Sequence, residues 1–96
     1  MTYRFTSAAL SELRGALVAY ESKERGLGKR FLAEVDGTIS RILMAPEAWR
    51  RLSARTRRCL VHRFPFGVLY QIRGGEVLVV SVMDLRRDPA SWRKHL

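Results

Sequence analysis

The side chains in this sequence with the most chemical potential are cations. Arg57, Arg58, Arg63, Arg73, Arg86 and Arg87 crowd the second half of the chain. The guanidinium fork matches phosphate and carboxylate oxygens two at a time, so such a set suits a phosphate-rich or acidic partner. The bland alternative is a solvated sheet edge protected by basic residues. Groups able to move a proton are few. His62 titrates in the right range, but a lone histidine in a strand is usually an edge or packing residue. Asp84 and Asp88 neighbour Arg86 and Arg87, and Asp88 precedes Pro89 as a helix cap does, so the pair does not read as an acid–base couple. Tyr70 can stack on a base or hydrogen-bond a phosphate, or it can pack. Cys59 alternates with apolar residues, which predicts a buried, inert thiol. Gly26-Leu27-Gly28 is not a phosphate loop, because no strand precedes it and the glycine pattern is incomplete.

The charge balance sharpens this. The 96 residues carry 18 Lys+Arg and 9 Asp+Glu, a net charge of +9. Residues 1–46 hold 7 basic and 5 acidic side chains, whereas residues 47–96 hold 11 and 4. The surplus thus lies in the second half, and a surplus this large points to a polyanionic partner. One cysteine excludes an internal disulfide, and one cysteine with two histidines is too few for an ordinary structural zinc site, so neither metal nor cofactor is expected. The first residues lack the apolar core of a signal peptide, and the longest apolar run, Val77 to Met83, is far too short to span a bilayer. A reduced cytoplasmic protein without membrane contact is the expectation.

The elements that position these groups follow from periodicity. The length fits one domain over 1–96. Tyr3 to Thr6 predicts a short strand. Leu10, Leu13, Leu17 and Tyr20 recur at helical spacing, which predicts a helix over about 7–24 with Ser7 as its cap. Phe31, Val35, Ile39, Ile42 and Leu43 predict a second helix over about 28–45, ended by Pro46. Gly37 in its middle suggests close contact with the first helix, and the short break between the two reads as an antiparallel hairpin. Residues 47–56 form a basic connector anchored by Trp49. Strands are expected over 57–64, 68–73 and 76–83, with a turn at Pro65-Phe66-Gly67 and a two-residue hairpin at Gly74-Gly75. Arg57, Cys59 and Arg63 would then share one face, opposite Arg58 and His62. A short helix over 89–95 would carry Trp92. The order is β-α-α-β-β-β with a short C-terminal helix or tail: an α+β domain with a helical hairpin on one face of a mainly antiparallel sheet.

The segment Arg57-Arg58-Cys59-Leu60-Val61-His62-Arg63-Phe64-Pro65-Phe66-Gly67-Val68-Leu69-Tyr70 resembles the RelE/ParE superfamily of toxins from bacterial type II toxin–antitoxin systems. The tail, with Arg86-Arg87-Asp88-Pro89 and then Trp92, resembles it too, as do length, charge and element order. The resemblance implies a RelE-like fold and a cognate antitoxin partner, small, acidic where it wraps the toxin, and often carrying a ribbon-helix-helix DNA-binding domain. Two activities occur on this fold. ParE-like members inhibit DNA gyrase; RelE-like members cut mRNA on the ribosome. Metal-free RNA cleavage needs a base, a cation and an acid. This chain has no lysine in its connector or first long strand, and its tail aromatic is Trp92, which offers no usable acid–base group. The resemblance therefore favours a gyrase-directed, ParE-like, non-enzymatic toxin. The alternative, a ribosome-dependent endoribonuclease, would use Arg57, Arg63, Arg86 and Arg87. Partner contacts are expected at Arg58, Arg63, Tyr70, Arg86, Arg87 and Trp92.

Overall fold

The computed structural model describes residues 1–87. Trp92 and the helix expected over 89–95 lie outside these residues.

Strand β1 (Tyr3–Phe5) leads directly into helix α1 (Ser7–Lys23). The cap is Thr6 rather than Ser7: its extended backbone lets Oγ1 accept from the Ala9 N–H at 3.1 Å, which satisfies one of the donors a helix start leaves open. Ala9 and Leu13 are buried, and Leu10 and Tyr20 pack beside the core. Helix α2 (Leu27–Met44) buries Phe31, Val35, Ile39 and Ile42, the stripe its spacing predicts.

The close approach of the two helices is at Gly28, not Gly37. A Cβ on Gly28 would stand 2.8 Å from the Leu17 carbonyl oxygen, whereas one on Gly37 would meet only Arg41 Nη1, at 3.8 Å. Glu21 of α1 holds the junction by accepting from the N–H groups of Gly26 and Gly28 at 3.0–3.1 Å. A carboxylate there faces the positive end of the α2 dipole.

The remaining chain builds the sheet from β2 (Arg50–Arg51), β3 (Arg57–Leu60), β4 (Phe66–Arg73) and β5 (Glu76–Asp84). The five strands run in the order β1-β5-β4-β3-β2. β1 lies parallel to β5, and all other pairs are antiparallel. β2 falls inside the expected connector; two residues are too few to show a period. Trp49 anchors it as expected, donating from Nε1 to the Arg41 carbonyl at 3.3 Å. Gly74 and Gly75 both have positive φ, 57° and 75°, as a tight hairpin between twisted strands requires.

The turn before β4 falls earlier than Pro65-Phe66-Gly67. Phe66 and Gly67 already pair with Asp84 and Met83, and the chain reverses over 61–65. Gly67 is small because the Arg58 side chain crosses it; a Cβ there would lie 3.1 Å from Arg58 Cγ and Cδ. β3 stops at Leu60, and Arg63 turns back with φ 67°, so it does not continue the Arg57–Cys59 face.

Helices cover the face that presents Val68, Tyr70, Val77, Val79 and Val82. One end of this core is aromatic. Tyr20, Phe31, Phe64 and Phe66 meet with ring centroids 4.9–6.0 Å apart, mostly edge to face. Such pairs contribute about 0.5–1.5 kcal/mol each beyond burial.

Candidate partner-binding surface

Two hollows mark the described surface, one at each end of β4. The first exists because β1 is short. β1 pairs with β5 only as far as Phe5 opposite Val79, and the Thr6 N–H closes the ladder on the Val79 carbonyl at 3.0 Å. From Val80 to Asp84 no strand among the described residues covers that edge of β5. Glu12 of α1 fills part of the gap, accepting from Val82 N–H at 3.1 Å and Ser81 Oγ at 2.9 Å. Beyond Glu12 lies a groove of about 290 Å³. Gly15, Ala16 and Ala19 form its low wall, and Tyr20, Phe66, Val82 and Met83 its largely apolar floor. Its rim is charged, with Lys23, Asp84, Arg86 and Arg87.

Asp84 and Arg86 are joined by a two-pronged ion pair, Nε to Oδ1 at 3.0 Å and Nη2 to Oδ2 at 2.9 Å; the Arg86 backbone N–H adds a third bond at 3.0 Å. These contacts hold the Asp84 carboxyl below its ordinary range and raise the Arg86 guanidinium further. Arg87 is exposed, its backbone N–H bonded to the Asp84 carbonyl at 3.2 Å.

The other expected site residues are placed differently. Arg63 stands in the 61–65 turn with its side chain 83% exposed, and its Nη1 meets Glu34 of α2 at 2.8 Å. Arg58 is half-buried on the sheet face away from the helices, and its buried Nε has no hydrogen-bond partner among the described residues. Tyr70 is 0% exposed, and its hydroxyl donates to the Pro46 carbonyl. Burial pushes its phenol up to about 12. It is a core residue, which corrects the expectation that it touches a partner. Cys59 is buried, and desolvation raises its thiol, which keeps it protonated. His62 is exposed, its Nδ1 3.5 Å from Arg41 Nη1.

Arg57 belongs to the second hollow. It is half-buried and donates from Nη1 to the carbonyls of Glu47 and Trp49, at 2.9 and 3.0 Å. It sits opposite Tyr70, whereas Asp84, just before Arg86, sits opposite Phe66. Four residues of strand, about 13 Å, and two strand spacings separate them. The four arginines named for RNA cleavage therefore do not surround one phosphate.

Sequence reading misses Glu12 and the small wall of the groove. Gly15, Ala16 and Ala19 recur at helical spacing beside the leucine stripe, a signal that a close neighbour is wanted there.

An α+β unit with this strand order, a short parallel first strand and a partly open central edge defines the class of fold. It is shared with a chain of a solved structure described as the chromosomal ParDE TA system from P. aeruginosa, with a TM-score of 0.75, 16% identity and coverage of 88% of this chain and 96% of that one. A comparison with curated proteins gave no match. The profile of the ParE toxin of the type II toxin–antitoxin system, parDE, matches residues 3–89, and the chain belongs to that family. Among the described residues no helix is long and apolar enough to cross a membrane.

Proposed function

We propose that this chain is the toxin of a ParDE-type pair, that a cognate ParD-like antitoxin neutralises it by direct binding, and that its target is DNA gyrase. The observation that carries the antitoxin part is the groove between α1 and the open edge of β5. Its small-residue wall admits a segment close to the sheet, its apolar floor supplies burial, and Arg86 and Arg87 on the rim favour an acidic segment. Membership of the family supports gyrase as the target; the groove itself speaks only to the antitoxin. A small antitoxin, acidic in its toxin-binding segment and joined to a ribbon-helix-helix DNA-binding domain, fits this reading, as does action inside the cytoplasm.

Purified protein is expected to inhibit supercoiling by gyrase and to accumulate cleaved DNA, and prior addition of the antitoxin is expected to abolish both effects. Normal supercoiling at concentrations that arrest growth would contradict the gyrase target. Cuts in mRNA at codon-specific positions after induction would replace it with the ribosome and mRNA.

A further inference from the structure

The second hollow, about 220 Å³, lies at the far end of β4 from the antitoxin groove. Phe66 lines one and Arg73 the other, seven residues or about 23 Å of strand apart. Four guanidinium groups border it, from Arg51, Arg55, Arg57 and Arg73, against one carboxylate, Glu47.

Two of these cations are held ready. Arg57 is fixed by the carbonyls of Glu47 and Trp49, and Arg73 by the Gln71 side-chain oxygen at 2.8 Å, which is itself positioned through the Gln71 bond to buried Thr56 at 3.1 Å. All of these acceptors are uncharged, so the positive charges are oriented without being neutralised. Arg51 and Arg55 are exposed, and their side chains take part in no ion pair or hydrogen bond among the described residues.

The strand register makes this arrangement costly without a ligand. Arg51 lies directly opposite Arg57, and Arg50 directly opposite Arg58. Like charges facing each other across a strand pair are destabilising. An external anion removes that repulsion. Because Arg51 and Arg57 occupy one face and Arg50 and Arg58 the other, the cations continue around the β2 edge, a longer track than a single phosphate needs. Apolar anchors of the kind that hold a peptide are nearly missing: Ala54 and the partly exposed Ile72 are the apolar side chains at the rim.

From this geometry we infer that the hollow seats a phosphodiester of a nucleic-acid backbone, with Arg51 and Arg55 closing on phosphate oxygens that Arg57 and Arg73 help to hold. The contact is independent of base sequence, as phosphate contacts are, and it is separate from the antitoxin groove.

The test uses the full chain and fluorescence anisotropy, with a labelled duplex DNA and a single-stranded RNA of equal length, titrated at several salt concentrations. Arg51→Gln/Arg55→Gln is compared with Arg14→Gln/Arg25→Gln, which removes the same charge from exposed positions on and just after α1. The hollow variant is expected to bind at least one polymer roughly tenfold more weakly, with a log–log salt slope shallower by about 1.8, about 0.9 for each phosphate no longer neutralised. The control is expected to stay near the parent protein. The two polymers tell which nucleic acid is held. Equal weakening in both variants would mean that the binding is diffuse attraction to net charge and would overturn the inference. So would failure to bind either polymer, or binding of a polyglutamate peptide in their place. The single variant Arg55→Gln provides the same comparison should the double one fail to fold.

Discussion

Asp84 sits where β5 ends and accepts three hydrogen bonds from Arg86. Its carboxyl is lowered, first by the Arg86 side chain. A lowered acid stabilises the folded state fully at pH values above its unfolded range, near pH 4, and that contribution is lost as the pH falls through the lower folded value. Glu76 behaves alike, held down by Thr2 and Arg4 of the β1 end. Thermal melts from pH 7 down to pH 2 are therefore expected to show falling stability below about pH 4, with a shallower fall in Asp84→Asn. An identical acid profile in parent and variant would show that the Asp84–Arg86 pair does not contribute. The same pair explains why Asp84 and Asp88 do not form an acid–base couple: the first is committed to an arginine on its own turn.

At the scale of elements, the helix hairpin reverses one expectation. Gly37 reads as the contact glycine because it interrupts a helical stripe, but it faces open space, while Gly28 sits beneath the Leu17 carbonyl and Glu21. Gly28→Ala forces a methyl group against backbone and is expected to cost about 1–3 kcal/mol. Gly37→Ala gains helix propensity and is expected to stabilise by up to about 1 kcal/mol. Denaturant melts of both variants check the signs; the opposite order would place the helix contact elsewhere. What is legible in the sequence here is pattern. The Phe31–Val35–Ile39–Ile42 stripe, the Gly74-Gly75 hairpin and the apolar run of β5 each declare themselves within a few residues. What is not legible depends on distant partners. Gly67 reads as a turn residue until the Arg58 stem is seen crossing it. Arg63 reads as the next residue on a strand face until β3 ends at Leu60. β2 exists only because β3 offers it an edge.

At the scale of the molecule, the candidate site arises from a mismatch in length. β5 runs on to Asp84 while its parallel neighbour β1 stops at Phe5, and α1 crosses the gap with glycine and alanine turned toward it. Nothing in the sequence near Val80 marks that edge as open, so the groove escapes a reading of the sequence although Arg86 and Arg87 on its rim stand out. The +9 charge likewise resolves into two surfaces: a cationic rim beside an apolar slot, and an arginine hollow at the opposite end of the sheet. The first has the chemistry of a peptide site and the second that of a phosphate site.

The central claim is that the α1–β5 groove receives the neutralising antitoxin, and calorimetric titration of the chain with its cognate antitoxin tests it most directly. Ala19→Trp fills the groove from an exposed position on α1. The variant is expected to keep its melting temperature and to lose roughly 2 kcal/mol or more of binding, about thirtyfold in Kd. A correctly folded Ala19→Trp that binds the antitoxin as tightly as the parent chain would contradict the account.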